Sequence, residues 1–547
     1  MADWRFVEPD GELVSGLMRA AGVDRICAVV LANRGVLPET LEDFLSPSLK
    51  NISPPDGGPW RVAARRVATA VRSGERIGIF GDYDADGVTS AAVLSLALSR
   101  YTENLVVKLP NRQTGYGLLE PYVRDMFAEG VRLLITADCG ISNHREIELA
   151  AGNLGMDVIV TDHHLPPAEL PEAAVAVLDP KIWDEDDPLA GVGVAWKLAL
   201  ALVRELGDPE GRRVLGRLLD LVAIGTVVDI APLVGENRTL AWTGLKYLNG
   251  GNVRPGLEAL IRAAGVRRPL DEEDLGWRIG PRLNAIGRIR NPYPALDLLL
   301  TGERQRAAEI SQLLNRLNAE RQQRTRLAVE RCLREADPEQ DFKVVFTDEI
   351  GGIAGLIAGK VAQATGRPAA VLHRRSDGSY GGSARAGETD VDLYRALSLS
   401  REFLKEWGGH RKAAGISVSP GKLEAFIERV NAAVREQLAE NPRLFTPALE
   451  IEAELSAERL TNGLLDWHER LAPFGSGNYR PVFVSGGFCV AGSRQLWEGM
   501  NLLKLDGGVS AKLAGEEIPE SPFDAAYTVS RNPYTGGVEL EIVDWRR

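Results

Sequence analysis

Between about residues 60 and 245, apolar runs only four to six residues long recur between stretches of helical periodicity: Ile77 to Phe80, Val131 to Thr136, Val158 to Thr161 and Val175 to Leu178. Short apolar runs separated by helices predict βαβ units and a parallel sheet. Open sheets of this kind bind ligands at the carboxyl ends of their strands, so chemistry is expected there. No apolar run approaches the ~20 residues that a membrane span requires. The N-terminal MADWRFVEPDGEL also carries acids where a secretory leader is basic and then apolar, so a cytoplasmic protein without membrane attachment is expected.

Three of these strand ends carry acids. Ile77 to Phe80 runs into GDYDADG, which crowds Asp82, Asp84 and Asp86 together; Val131 to Thr136 leads to Asp138; Val158 to Thr161 leads to Asp162, His163 and His164. Crowded carboxylates repel one another unless cations hold them. A calcium loop is the nearest rival for D-x-D-x-D-G, but its twelfth position is Val93 rather than Glu and its lead-in is a strand. A lone aspartate after a strand is commonly a cap or turn residue. Asp-His-His is less easily a coincidence, because the chain has six histidines among 547 residues and two of them are adjacent behind a carboxylate. Downstream, Asp229 interrupts the apolar LVAIGTVVDIAPL, where an unpaired charge is costly to bury. Carboxylates with imidazoles and no thiolates suit Mn²⁺ or Mg²⁺, and two such ions ~3.5–4 Å apart favour in-line attack of water on phosphorus. Phosphoester hydrolysis is the predicted reaction. Cys27, Cys139, Cys332 and Cys489 form no CxxC pair and are read as reduced packing residues.

A net charge of −12 argues against a polyanionic partner, but the local balance differs. Residues 276–334 hold twelve arginines against five acids, a net +7, and from about 303 to 335 there is neither Gly nor Pro. An apolar stripe at Ile310, Leu313, Leu314 and Leu317 fades into NAERQQRTR, the pattern of a long helix that links domains through solvent. A solvated face is the plain reading of those arginines. Residues 341–440 return to α/β character and contain the Gly-rich GGSARAG and WGGHRKAAG, where guanidinium groups and close-approaching backbone suit phosphate. From about 446 five or so short strands suit a small barrel of the OB type. Tyr116, Tyr380, Tyr394, Trp407 and Tyr479 are candidate base-stacking platforms, although aromatics are more often core.

GDYDADGVT, TADCG, TDHH and GTVVDIAPL stand in the order and approximate spacing of the DHH phosphoesterase superfamily. GPRLNAIGRI, GGSARAG, WGGHRKAAG and APFGSGNYRPVF resemble its RecJ branch, the 5′→3′ single-strand DNA exonucleases. The resemblance spans about residues 60 to 547. It implies an α/β protein in which a parallel-sheet DHH domain (56–250) and a smaller α/β DHHA1 domain (339–445) are joined by a connector with a long basic helix (251–338). A lead-in (1–55) precedes them and an OB-type β-barrel (446–547) follows. Two loops depart from the family pattern, EIGGIAG, which lacks Trp-His before its Gly, and PNRQTGYG, which is a residue short.

Carried over by residue, the resemblance implies one cation on Asp86, Asp138, His163 and Asp229. A second is implied on Asp84 and the bridging Asp138, with Asp82. His164 would touch the phosphate or the leaving oxygen, and Arg112, Arg282, Asn284, Ser383, Arg385 and His410 the DNA phosphates. The implied cofactors are two divalent cations, Mn²⁺ favoured and Mg²⁺ possible. The implied substrate is single-stranded DNA in repair and recombination, with a single-strand-binding protein and a helicase as further partners. Two alternatives stay open: a phosphodiesterase of cyclic dinucleotides or very short oligoribonucleotides, and a catalytically silent strand-binding module of the replisome.

Overall fold

The computed structural model describes residues 2–111, 117–289, 291–349 and 352–547. The chain forms two compact units, one of residues 45–320 with 472–479, the other of residues 1–44, 321–471 and 480–547.

The first unit is built on a five-stranded parallel sheet in the order Leu105–Lys108, Arg76–Gly81, Val131–Ala137, Asp157–Thr161, Ala176–Leu178. Successive side chains of a strand point to opposite faces, so a sheet covered on both sides needs apolar residues at every position. Ile77, Ile79, Leu133, Ile135 and Ile159 enter the larger core, while Phe80, Leu134, Val158 and Val160 enter the smaller one behind the sheet. The four expected strands are present, and Leu105–Lys108 is an addition. It is a half-buried edge strand of four residues, with too little apolar pattern to stand out. The larger core is closed by helices Ala85–Leu98, Gly191–Glu205 and Leu219–Val228, all apolar nearly all round. Close helix approach depends on glycine here: a Cβ at Gly244 would lie 2.1 Å from the Leu219 carbonyl oxygen.

The long helix spans Arg304–Glu335, as its lack of Gly and Pro predicts. Ala307, Leu314 and Leu317 belong to the core of the first unit, and Ala328 and Cys332 to a core of the second. Its charge is less basic than the local count suggests. Arg324 pairs with Glu349, Arg331 with Asp348, Arg306 with Asp297 and Arg326 with Glu330, and the nearby Arg278 pairs with Asp274. Asp348, Glu349 and Asp274 lie outside the counted window, so folding supplies neutralising partners that a linear sum misses.

In the second unit a five-stranded mixed sheet runs in the order Leu404–Gly409, Ala413–Val418, Tyr380–Arg385, Ala369–Arg374, Lys343–Phe346. A seven-stranded, mainly antiparallel sheet is formed by residues 453–546. The N-terminal segment is tied to this part of the chain. Strand Asp3–Phe6 pairs in parallel with Ala448–Ile451, Trp4 Nε1 donates to Asp544, and the Arg546 guanidinium lies 4.1 Å over the Trp4 ring. None of the four cysteines is disulfide-bonded.

Candidate metal centre

The acids of the first unit converge at the carboxyl ends of its central strands. After strand Arg76–Gly81 the chain turns at once into helix Ala85–Leu98, whose N-cap is Asp84, with its carboxylate accepting from Gly87 N at 3.0 Å. Gly87 sits inside the helix against Asp82, where a Cβ would come within 2.5 Å of Asp82 N. This geometry disposes of the calcium-loop alternative: the glycine permits close packing of loop on helix and is not a turn residue of a binding loop. Asn284 Oδ1 accepts from Ala85 N, and a Cβ at Gly287 would meet Tyr83 O at 2.5 Å, so helix Gly280–Ile289 braces the same loop.

Asp138 follows strand Val131–Ala137 with a backbone φ of 64°, a left-handed conformation that aspartate tolerates better than most residues. Its Oδ1 is buried and makes no hydrogen bond, yet lies 3.1 Å from His163 Nε2. Two electron-pair donors held together without a proton bridge are what a shared cation requires. His163 Nε2 is also 3.8 Å from both Asp86 Oδ2 and Asp229 Oδ2. Three sets of ligand atoms each fall within 4.8 Å of one another: Asp86, His163 and Asp229; Asp82, Asp84 and Asp138; Asp138, His163 and His164. Asp138 is common to the last two.

The electrostatics are those of a cation site. Burial, reinforced by Asp229 and Asp84, pushes the Asp86 carboxyl well above the ordinary range against the pull of the Val192 and Gly191 N–H groups. Burial likewise raises Asp138, with Asp86, Asp84, Asp229 and Asp82 adding, and brings Asp229 to about 7 with Asp84. Burial and the charge of His164 lower His163 to about 3, so its imidazole is neutral and able to act as a ligand at neutral pH. The residues present therefore fit one or two divalent cations, because a cation removes both the mutual repulsion of the carboxylates and their desolvation cost.

Asp162 organises this corner without lying in any of the three sets. It accepts from Ile141 N at 2.9 Å, from His163 N at 2.8 Å and from His164 N at 3.3 Å, and its Oδ1 lies 2.7 Å from His164 Nδ1. Burial opposes the charged state of each partner. Their mutual hydrogen bond and attraction nevertheless lift His164 to about 9 and hold Asp162 below the ordinary carboxylate value. In chelator, the stability lost in His164→Gln is expected to be complete below about pH 6.5 and to fade as pH rises through about 9. Urea midpoints of the two proteins across that range are the measurement; a constant difference would contradict the pairing.

Other positioning groups were not apparent in the sequence. Gly191 N and Val192 N, at the start of helix Gly191–Glu205, each donate 2.9 Å bonds to Asp86. A Cβ at Gly191 would stand 2.6 Å from Asp138 Oδ1, and one at Gly225 would stand 2.8 Å from Asp86 Oδ1. Their traces in the sequence are the glycines of AGVGVAW, in the first turn of an apolar helix, and the Gly225 that opens GTVVDIAPL.

The expected phosphate residues fall in several places. Arg282 donates to Asn315 Oδ1 at 2.9 Å and to Arg278 O at 2.6 Å, and Asn284 is engaged with the Asp loop. In the second unit Ser383 and Arg385 share a face of strand Tyr380–Arg385, beside the start of helix Ala354–Thr365, where a Cβ at Gly355 would meet Arg385 Nη2 at 2.6 Å. His410 N bonds to Ala413 O, and Ala413 pairs with Arg385, so His410 stands one strand away at the same end. Arg112 and Tyr116 lie outside the described residues. Of the other aromatics, Tyr394 and Trp407 pack on each other at 5.1 Å and Tyr380 packs on Phe346 at 5.8 Å, while Tyr479 is exposed.

Three family models match the chain: the DHH family N-terminal domain over residues 76–226, the DHHA1 domain over 341–436 and the RecJ OB domain over 451–544. The single-stranded-DNA-specific exonuclease RecJ of Escherichia coli (strain K12) is 36% identical over 78% of this chain and 78% of its own. That of Bacillus subtilis (strain 168) is 34% identical over 87% of this chain, which spans 61% of that relative's length. The crystal structure of RecJ in complex with Mn²⁺ from Thermus thermophilus superposes with a TM-score of 0.85 at 30% identity, covering 100% of this chain and 79% of that one. Among the described residues no helix is long and apolar enough to cross a membrane. With three matched domains and identity at this level over most of its length, the chain belongs to the RecJ family of DHH proteins.

Proposed function

We propose that this chain is a divalent-cation-dependent exonuclease that hydrolyses the phosphodiester bonds of single-stranded DNA in the 5′→3′ direction during repair and recombination. The observation that carries this reading is the convergence of five carboxylates and two imidazoles on one strand-end corner, with the orphaned Oδ1 of Asp138 common to two of its ligand sets. Asp86, Asp138, His163 and Asp229 would hold one ion, and Asp82, Asp84 and Asp138 the other, with Mn²⁺ favoured and Mg²⁺ able to substitute. When bound, two such ions supply Lewis acidity at the entering and leaving oxygens of an in-line attack on phosphorus.

The chain's own residues do the rest. Neutral His163 offers Nε2 as a ligand. His164 has Nδ1 engaged by Asp162, whose hydrogen bond and charge favour its protonated form in the cation-free protein, and its Nε2 proton can be given to a phosphate oxygen or to the leaving oxygen. Asp162 orients that ring and does not itself exchange a proton. Ser383, Arg385 and His410 are the 5′-phosphate contacts, with Arg282 nearer the Asp loop. Arg385 supports this role because it is half-buried and, among the described residues, has no ion-pair partner; its guanidinium reaches only the Ala384 carbonyl, at 2.8 Å. A cation withdrawn from water without a carboxylate is a site for an anion. Arg385→Ala is expected to weaken binding of a 5′-phosphorylated strand roughly tenfold more than that of a 5′-hydroxyl strand, read by fluorescence anisotropy in chelator. In this setting a helicase exposes the strand and single-strand-binding protein covers it, and we infer both as partners and the cytoplasm as the compartment.

Product mapping on a 3′-labelled single strand, a blunt duplex and a series down to the dinucleotide, with Mn²⁺, Mg²⁺ or chelator, tests the reading. The expected result is cation-dependent shortening from the 5′ end of single strands. Cleavage confined to dinucleotides would favour the small-substrate alternative, and binding without cleavage the silent-module alternative.

A further inference from the structure

The turn that leads into the helix bracing the Asp loop carries an exposed tryptophan. Trp277 is 80% exposed. It lies in the π-helical turn Asp274–Ile279, a helix irregularity that recurs at functional sites. The residues around it are packed onto the helix that ends at Asp229: a Cβ at Gly280 would lie 2.3 Å from Val228 Cγ2, and one at Gly276 would lie 3.8 Å from Val227 Cγ1. Trp277 is thus anchored on both sides to the residues just before a cation ligand. Ile230, directly after Asp229, is also exposed, at 73%, and has a φ of 62°, a costly conformation for a β-branched residue.

Two arginines share this segment with the indole. Arg278 is the next residue, and Arg282 follows one turn later. Burial and the charge of Arg278 lower the Arg282 guanidinium, a sign that two positive groups are held close to each other. An exposed aromatic ring, on a segment that carries Arg282 and packs onto the helix leading to a cation ligand, suits a strand that lays a nucleobase on the ring and sets its phosphate against a guanidinium.

We propose that Trp277 is a base-stacking residue that positions the strand for cleavage, reading the planar face of a nucleobase without regard to its identity. This rests on the single-strand nuclease reading above and extends it to a residue outside the cation and phosphate sets. Trp277 acts on the strand and not on the reacting atoms, so its loss should appear in substrate binding before it appears in the chemical step.

The test uses the full chain and 5′-phosphorylated oligodeoxynucleotides with 2-aminopurine at one of the first several positions. In chelator, the wild-type chain should quench 2-aminopurine at one or two of these positions. Trp277→Ala should abolish that quenching and weaken binding roughly tenfold, and Trp277→Phe should restore most of both. With Mn²⁺, Trp277→Ala should raise KM more than it lowers kcat, and an abasic site at the quenched position should remove the difference between wild type and variant. Equal quenching and equal KM in wild type and Trp277→Ala would overturn the stacking role alone. A wild-type chain that binds no single strand would instead remove the nuclease reading, and this inference with it.

Discussion

Asp138→Asn is expected to reduce cation-dependent cleavage of single-stranded DNA by ~10³-fold or more, while binding of the strand at low salt persists. The magnitude follows from position. Asp138 lies in the ligand sets that contain Asp82 and Asp84 and that contain His163 and His164, and its Oδ1 stands 3.1 Å from His163 Nε2, so one substitution disturbs both proposed ion positions. Asparagine is the informative replacement. At a φ of 64° alanine brings backbone strain of its own, whereas asparagine accepts the left-handed conformation and removes only the charge. Burial and four neighbouring carboxylates destabilise ionised Asp138 in the cation-free protein, so the variant should unfold no more easily than wild type in chelator. The decisive comparison is single-turnover cleavage with Mn²⁺ set against urea unfolding in chelator. Near-wild-type turnover in Asp138→Asn would refute a shared ligand.

Gly191→Ala should have the second largest effect, although it removes no functional group. The added methyl would meet Asp138 Oδ1 at 2.6 Å and its Cβ and Cγ at 2.9 Å, while the Gly191 N–H must keep its 2.9 Å bond to Asp86. Both carboxylates belong to the cation corner and neither is mobile: the side chain of Asp86 is fully buried, and Asp138 sits between strand end and helix start. Overpacking a rigid site costs about 1–3 kcal/mol, and a ligand displaced by a few tenths of an ångström loses far more affinity than stability. The expected outcome is a rise of roughly 10- to 100-fold in the Mn²⁺ concentration for half-maximal activity, with a modest fall in the urea midpoint. A variant with unchanged Mn²⁺ dependence would show that the corner can relax.

The sequence made the ligand-bearing loops legible because a parallel sheet imposes its own pattern. Buried strands must be apolar throughout, so Asp82, Asp138 and Asp162 stand out as the first charges after Ile77–Phe80, Val131–Thr136 and Val158–Thr161. Asp229 stood out for the same reason, as the acid that ends an apolar helix. The groups that hold these ligands gave no such signal. Gly191, Gly225, Asn284 and the Ile141 and Val192 N–H groups act through backbone or through close approach, and their neighbours in space are tens to hundreds of residues away in the chain. The basic segment is the complementary case: it was plain in composition, and the fold then paired Arg324 and Arg331 with acids beyond its end.

What the sequence determined by itself is therefore the local alphabet of this protein: which runs are strands, that residues 304–335 form one helix, and which side chains could bind a cation. These depend on periodicity and residue chemistry within a few positions. Tertiary structure alone decided that Asp86 is gripped by the first turn of a helix 105 residues on, that Asp138 keeps an unpaired oxygen against His163, and that adjacent histidines are pushed in opposite directions, His164 up by Asp162 and His163 down by burial. Protonation state, ligand direction and steric tolerance are set by distances between groups remote in sequence, and those distances exist only once the core has closed around them.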